Sequence, residues 1–188
     1  MQEARFMVPS SEILEEKIKP ALIAAGAVCR GWYGLTDIMF GPESYNAGFV
    51  RLRIARNARN ASPQIVLVQK ETAWGRYSKT STSVVRKEFT DIVSACAFVE
   101  KEFGGALRRV FTFSRDGMEY ALNGLRIFAE DILVPRIRWS VEIEGAGDIA
   151  IASCAALLGL GQPIRDSVPA LVYKNLSTQT QTRTLVYN

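Results

Sequence analysis

Charged side chains recur at every second position in several short segments of this chain, while the positions between them are apolar. In FVRLRI the charged pair is Arg51 and Arg53, and in RWSVEIE it is Glu142 and Glu144. Because successive side chains of a β-strand point to opposite faces, each segment predicts a strand with one apolar and one charged face. A single strand of this kind is ordinary, since its polar side usually faces water. Recurrence over several strands predicts a sheet with one extended charged face, which also carries Glu3 and Arg5, Lys70, and Arg86 and Glu88.

Alternation and helical spacing together predict an α+β fold. Strands grouped before and after helices, without a regular strand–helix alternation, are typical of that class with a mainly antiparallel sheet. Apolar residues spaced three or four apart predict four helices, at residues 10–26, 90–103, 148–158 and from about 167. Period-two segments predict eight strands, at residues 3–8, 37–40, 49–55, 64–70, 83–89, 107–114, 125–132 and 138–144.

Closure of this sheet would turn its charged face into the lining of a tunnel. Eight strands are about the number that can close while leaving room for a small ligand. Arginine and lysine suit phosphate oxygens, and clustered glutamates suit Mg²⁺ or Mn²⁺, which prefer oxygen ligands. We therefore expect a closed eight-stranded antiparallel β-barrel with its helices packed outside, lined for a phosphate-bearing ligand and a metal ion.

Composition excludes several kinds of chemistry. The chain has no histidine, which excludes Ser-His-Asp and Cys-His nucleophile systems and histidine general bases. Its three cysteines lie far apart and form no C-x-x-C pair, so neither a zinc site nor a disulfide framework is expected. The 23 Lys and Arg against 19 Asp and Glu give a net charge of +4, which favours an anionic partner.

We expect a single domain over residues 1–176, followed by a polar tail at 177–188 that is either disordered or an added edge strand. The opening residues show neither the basic nor the apolar region of a secretory signal, and no segment reaches about 18 uninterrupted apolar residues. A cytoplasmic protein without a membrane segment is therefore expected, as a monomer or a homodimer.

In their order and spacing, the charged segments resemble the motifs of the CYTH proteins, the class IV adenylate cyclase and thiamine triphosphatase relatives of the triphosphate tunnel metalloenzyme superfamily. The family opens with E-x-E-x-K. MQEARFM is similar to it, with Met1 at the first glutamate, Glu3 at the second and Arg5 at the lysine. FVRLRI resembles the family's L-R-x-R strand through Arg51 and Arg53.

Three more segments of the first half carry the resemblance. LTDIMF is similar to the family's D-x-Y-F strand, with Asp37 as the aspartate. IVLVQKE resembles the L-T-x-K strand through Lys70. VVRKEF is similar to the R-x-E-x-E strand through Arg86 and Glu88, with Thr90 in place of the last glutamate.

The second half supplies a further arginine. LRRVF resembles the family's K-x-R strand, which has a phosphate-binding arginine. Two adjacent arginines could take that position in this chain. Arg108 is favoured because it lies on the same face of the strand as Thr112 and Ser114, and Arg109 is the alternative.

The closing strands resemble the family's metal-binding unit. SVEIEG is similar to its E-x-E strand through Glu142 and Glu144. The strand before it should offer an aspartate, and IFAEDI offers two adjacent residues. Asp131 is favoured for this position because it is an aspartate. Glu130 remains an alternative because it lies on the same face of the strand as Arg126 and Phe128.

The resemblance implies a metal-dependent enzyme that hydrolyses a linear triphosphate: inorganic tripolyphosphate, or a nucleoside or thiamine triphosphate. It implies Mg²⁺ or Mn²⁺ as cofactor and a small-molecule partner, with nucleic acid expected only as a triphosphate RNA end. Alternatives are a class IV-type cyclase making cyclic AMP from ATP, and a module that binds nucleotide or polyphosphate without turnover. The implied catalytic residues are Glu3, Arg5, Glu142 and Glu144; the triphosphate-binding residues Arg5, Arg51, Arg53, Lys70, Arg86, Arg108 and Arg109; and the metal ligands Glu3, Glu88, Glu130, Asp131, Glu142 and Glu144.

Overall fold

The described part of the chain forms eight strands and several helices. The computed structural model describes residues 1–41, 50–58, 60–75, 77–103, 108–134, 137 and 139–186, and within these ranges the side chains of residues 61, 70–72, 74, 83–86, 108, 134 and 178–186 are outside the description. The strands are β1 (Gln2–Val8), β2 (Val28–Gly41), β3 (Val50–Asn57), β4 (Asn60–Trp74), β5 (Lys79–Phe89), β6 (Arg108–Leu122), β7 (Leu125–Val134) and β8 (Trp139–Gly145). The helices are α1 (Ser11–Ile13), a π-helical turn (Leu14–Ile18), α2 (Lys19–Ala24), α3 (Ile92–Glu102), α4 (Asp148–Leu157) and α5 (Val168–Val186).

All neighbouring strands are antiparallel, in the order β1-β5-β4-β3-β2-β6-β7-β8. The strand β1 is hydrogen-bonded on both sides. It pairs with β8 along its whole length, from Gln2 opposite Gly145 to Val8 opposite Trp139. Its join with β5 is short, with Gln2 opposite Thr80 and Glu3 opposite Lys79. The expected antiparallel α+β class is confirmed, and β1 and β5 meet along a narrow seam of two residue pairs.

The two faces of the sheet differ as the alternation predicts. The inner face carries the charged residues, including Glu3, Arg5, Asp37, Glu130 and Glu142, all of which are buried. The outer face is apolar and packs against helices. One cluster joins outer residues of β1, β7 and β8 to α2 and α4, and a second joins β3 and β4 to α3. Burial of this apolar surface is the main force holding the helices on the sheet.

The start of α5 covers one part of the inner face. Phe113 lies opposite Asp37 across the β2–β6 ladder, so both side chains are on the inner face. Phe111 and Phe113 pack in one cluster with Val168 and Val172 of α5. The inner face is therefore charged along much of its extent and apolar where α5 lies against it.

The predicted elements are all present, and most of the observed strands are longer. In β2 and β6 the additional residues include glycines, at Gly31, Gly34 and Gly117, and glycine is uncommon within strands. Gly117 of β6 is one such residue: a Cβ there would lie 2.1 Å from the carbonyl oxygen of Ala129. The close approach of β7 requires glycine at this position.

Two helical expectations are refined. Pro20 lies within the first predicted helix, and the π-helical turn lies just before it. The proline ring would clash with the carbonyl group four residues earlier, which the wider turn accommodates. Residues 177–186 belong to α5, which corrects the expectation of a disordered tail or an edge strand. None of the described helices combines the length and apolar character needed to span a membrane.

Candidate functional site

Glu130 of β7 lies at the centre of a buried group on the inner face, which we call the Glu130 cluster (Glu130, Arg5, Arg115, Tyr33 and Ser140). The Tyr33 hydroxyl donates to Glu130 Oε1 at 2.7 Å. Arg115 Nη1 donates to Glu130 Oε1 at 2.8 Å and to Oε2 at 3.0 Å. Arg5 Nη1 also donates to Glu130 Oε2 and to Ser140 Oγ, the latter at 2.7 Å. Glu130, 1% exposed, thus has partners for both oxygens.

Electrostatics hold the Glu130 cluster in one protonation state. Burial acts to raise the pKa of Glu130, but the charges of Arg115 and Arg5 outweigh it and hold the pKa below its ordinary value. Burial raises the pKa of Tyr33, and the adjacent charge of Glu130 raises it further. Tyr33 is therefore a neutral hydrogen-bond donor to an ionised carboxylate.

Three glutamates converge beside this cluster, and we call them the carboxylate trio (Glu3, Glu142 and Glu144). Each offers a carboxylate oxygen, and the three atoms lie within 4.8 Å of one another. The strand pairing explains this, because Glu144 lies directly opposite Glu3 and Glu142 is two residues before it. Three carboxylate oxygens at this spacing fit the ligand preference of Mg²⁺ or Mn²⁺.

Each member of the trio also has a cationic neighbour. Lys79 Nζ lies 2.8 Å from Glu3 Oε1. Arg5 Nη2 donates to Glu142 Oε2, and Arg126 Nη1 donates to Glu144 Oε2 at 3.1 Å. The trio is therefore largely neutralised by side chains of the same chain.

Glu142 joins the trio to the Glu130 cluster. Its Oε2 accepts from Arg5 and lies 3.6 Å from Arg115 Nη1. Burial acts to raise the pKa of Glu142, but Arg5, and more weakly Arg115 and Lys79, hold it below its ordinary value. The ionised form, which is the form that binds metal ions, is thus favoured.

A second charged group on the inner face, the Asp37 cluster (Asp37, Arg51 and Arg53), holds a surplus of positive charge. Arg53 forms a bidentate pair with Asp37, with both hydrogen bonds at 2.8 Å. Arg51 Nη1 lies farther away, 3.7 Å from Asp37 Oδ2. Burial acts to raise the pKa of Asp37, but the charges of Arg53 and Arg51 hold it well below its ordinary value.

Arg51 is the less satisfied of the two cations. Its Nε is buried and has no hydrogen-bond partner in the described part of the structure, as is also true of Arg115 Nε. Burial, together with the like charge of Arg53, lowers the pKa of Arg51 to about 10. A buried guanidinium with a spare donor and little counter-charge is suited to an anionic ligand.

Three of the predicted site residues lie apart from these groups. Asp131 follows Glu130 in β7 and so points to the opposite face, which corrects the preference for Asp131 based on residue type. Glu88 is exposed and accepts a hydrogen bond from Gln64. Arg109 is exposed and donates to Thr112 of its own strand at 2.9 Å.

Three other predicted residues, Lys70, Arg86 and Arg108, have side chains outside the described residues, and their roles stay predictions. The structure brings together Glu3, Arg5, Glu142, Glu144 and Glu130. Sequence reasoning had not assigned Arg115, Lys79 or Ser140 to the site. Lys79 was missed because the predicted fifth strand began at residue 83, four residues after the observed start.

No family model matches this sequence, and no curated protein matches it. Solved structures do share its fold. The PH1819 protein from Pyrococcus horikoshii OT3 superposes with a TM-score of 0.73 at 17% identity, over 93% of this chain and 98% of that one.

Two further structures carry descriptions of activity. HpAC1 from Hippeastrum, a proposed adenylyl cyclase whose structure is described as revealing a dominant triphosphatase activity, has a TM-score of 0.64 at 14% identity, over 93% of this chain and 96% of that one. A proposed adenylate cyclase from Vibrio parahaemolyticus has a TM-score of 0.59 at 8% identity, over 91% and 96%. The chain thus shares its fold with proteins that include a proposed adenylate cyclase and one described with a dominant triphosphatase activity.

Proposed function

We propose that this chain binds a linear triphosphate against its inner face and hydrolyses it with Mg²⁺ or Mn²⁺ held by Glu3, Glu142 and Glu144. One observation carries the proposal: an under-neutralised guanidinium and a set of converging carboxylates belong to the same buried lining. The charge of Glu142 acts on Arg51, so the two groups are within electrostatic reach. A triphosphate is an anion long enough to contact a cationic cluster and a metal ion together.

The proposed fold for this activity is a tunnel made by full closure of the eight strands. It is supported by the hydrogen bonding of β1 on both sides. An enclosed lining limits water around the charged groups, and this strengthens their interaction with phosphate oxygens.

Arg51 and Arg53 are the phosphate-binding residues of this proposal. Arg51 offers the spare Nε donor to a phosphate oxygen. Asp37, by its bidentate pair with Arg53, fixes the direction of the second guanidinium. Both guanidiniums stabilise the negative charge that develops on the leaving phosphate.

The remaining residues hold the carboxylates in place. Arg5 bridges Glu130 and Glu142 and so orients Glu142 toward Glu3 and Glu144. A divalent ion bound by the trio would neutralise phosphate oxygens and make a water molecule easier to deprotonate. In the reaction, a water oxygen bonds to the terminal phosphorus, the bond from that phosphorus to the bridging oxygen breaks, and the water proton passes to solvent.

Hydrolysis is preferred to cyclisation because a relative with the same fold, HpAC1, is described with a dominant triphosphatase activity. A cyclase would use a hydroxyl of the bound nucleotide in place of water, on the same scaffold. The product formed from ATP therefore distinguishes the two reactions. ATP is included in the assay below, and cyclic AMP is measured there beside phosphate.

A second candidate is a binding module without turnover. It is favoured by the cationic neighbours of the trio, since Lys79, Arg5 and Arg126 already compensate its three charges. Such a protein would bind tripolyphosphate but release no phosphate from it.

The test compares Glu144→Gln with Glu119→Gln. Arg126 donates to both carboxylates, at 3.1 Å in each case, so each variant loses one ion pair of Arg126. Only Glu144 belongs to the trio. With Mn²⁺ and tripolyphosphate, thiamine triphosphate or ATP, we expect Glu144→Gln to lower phosphate release by roughly a hundredfold, and Glu119→Gln to retain the parent rate.

Equal rates in the two variants would contradict the assignment of the metal ligands. Absence of phosphate release by the parent protein with all three substrates would overturn the hydrolase. Calorimetric binding of tripolyphosphate in that second case would identify the non-catalytic module.

A further inference from the structure

Lys79 is a buried lysine that lies directly beside the carboxylate trio. It is 8% exposed, it stands opposite Glu3 in the β1–β5 seam, and its Nζ is 2.8 Å from Glu3 Oε1. Its positive charge also reaches Glu142: burial raises the pKa of that carboxyl, and the charge of Lys79 is one of those that lower it, after Arg5 and Arg115. One ammonium group therefore acts on two members of the trio.

The three cations around the trio differ in the geometry and flexibility of their side chains. Arg5 is fixed by hydrogen bonds to Glu130, Ser140 and Glu142. Arg126 is held by Glu119 and Glu144 and lies over the Phe128 ring, 4.8 Å from its centroid. A lysine, by contrast, is a compact charge on a flexible four-carbon chain, without the rigid two-pronged geometry of arginine. Its ammonium can leave a carboxylate by rotation of its own side chain.

A divalent ion bound by the trio would share the Glu3 carboxylate with Lys79. Because Glu3 supplies one of the three converging oxygens, an ammonium 2.8 Å from its carboxylate and a metal ion on that carboxylate repel each other strongly. Both cannot be held there at full strength.

We propose that Lys79 is an exchangeable counter-ion of the trio, which neutralises Glu3 in the metal-free protein and is displaced from it by the divalent ion. This inference rests on the proposed function, because it requires the trio to bind a metal ion. Displacement moves the ammonium away from Glu3 but leaves it in the lining, so metal entry adds one more cation to the face that meets the triphosphate.

The first experiment measures Mn²⁺ affinity in the absence of triphosphate, by the electron paramagnetic resonance signal of free Mn²⁺. The variants are Lys79→Gln and, as a matched control, Lys101→Gln, which removes an exposed lysine of α3 far along the chain from the trio. Removal of a competing charge should tighten Mn²⁺ binding by about tenfold in Lys79→Gln and leave the control at the parent value. Equal affinity in all three proteins would overturn the inference.

A second measurement uses the parent protein and does not depend on the folding of a variant. A short pulse of an amine-acylating reagent, read by peptide mass spectrometry, reports the reactivity of each lysine. We expect acylation of Lys79 to rise several-fold when Mn²⁺ is added, with Lys101 unchanged. Reactivity of Lys79 that is insensitive to Mn²⁺ would contradict displacement.

The two proposals fail in distinguishable ways. Mn²⁺ binding that is lost in Glu144→Gln but equal in parent and Lys79→Gln would leave the metal site in place and overturn the exchange. No Mn²⁺ binding by the parent or by Lys79→Gln would overturn both.

Discussion

The inner face carries two arginine-rich groups that differ in charge balance. Around Glu130, the guanidiniums of Arg5 and Arg115 meet the carboxylates of Glu130 and Glu142. In the Asp37 cluster, two guanidiniums share one carboxylate. The same residue type on the same face therefore has two different roles.

The pKa values of these arginines follow that difference. Burial acts to lower the pKa of Arg5 and of Arg115, but their carboxylate partners raise both above the ordinary value. Burial lowers the pKa of Arg51 to about 10, and its carboxylate does not compensate. We infer that the Glu130 cluster is mainly structural, while the Asp37 cluster keeps positive charge available for a ligand.

The largest expected effect comes from breaking the balanced group. Glu130→Gln would leave Arg5 and Arg115 buried with one carboxylate between them, so we expect a loss of about 3–5 kcal/mol in the free energy of unfolding. Denaturant unfolding measures this. Glu119→Gln is the control, because its ion pair with the half-exposed Arg126 should contribute less than about 1 kcal/mol. A similar small loss in both variants would show that the Glu130 cluster is not a structural centre.

The second prediction separates the two arginines of the Asp37 cluster. Arg53→Gln should lower the free energy of unfolding by about 1.5–3 kcal/mol, because buried Asp37 loses two charge-assisted hydrogen bonds. Arg51→Gln should change it by less than about 1 kcal/mol, since removal of Arg51 also relieves repulsion with Arg53.

Tripolyphosphate binding tests the role of Arg51 separately from its effect on stability. Calorimetry is expected to show roughly tenfold weaker binding in Arg51→Gln. If Arg51→Gln binds tripolyphosphate as the parent does, the surplus charge of the Asp37 cluster has no role in binding.

The smallest expected effect is on the free energy of unfolding at low pH. The pKa of Asp37 is held well below its ordinary value of about 3.9, so the unfolded chain takes up this proton before the folded one. The stabilisation from Asp37 is therefore complete above about pH 4 and is lost as the pH falls through the folded pKa. We expect the free energy of unfolding to fall more steeply below pH 4 in the parent than in Asp37→Asn. Parallel pH profiles for the two proteins would contradict this.

Alternation along the strands was sufficient to predict much of the site. It placed Glu3 with Arg5, Arg51 with Arg53, and Glu142 with Glu144 on the inner face, because every second side chain of an unbroken strand points to the same face. In β7 it also identified Glu130 through the face shared with Arg126 and Phe128. Residue type favoured Asp131 there, and geometry was the better guide.

Alternation did not identify Arg115 of β6 because the inner face is not polar throughout. Thr112 and Ser114 were taken to mark the inner face, which favoured Arg108. In the structure Phe111 and Phe113 face inward against α5, and this places Arg115 on the inner face. Where α5 would pack could not be read from the sequence of β6 alone.

The charge surplus of the Asp37 cluster was equally hidden from the sequence. Arg51 and Arg53 look identical in FVRLRI, and their difference arises because only Arg53 reaches Asp37 with two nitrogens. Such a distinction depends on side-chain distances across strands, which no residue pattern contains.

The pairing of β1 has a consequence for how this protein is made. Arg5 and its partner Glu142 are 137 residues apart in the chain, and β1 forms its full ladder only with β8. At a synthesis rate of roughly 5–20 residues per second, β1 leaves the ribosome on the order of ten seconds before its main partner exists. During that time β1 lacks its main hydrogen-bonding partner. Its apolar side, which carries Phe6 and Val8, can pack only against the part of its cluster that is already made, such as Leu22 of α2.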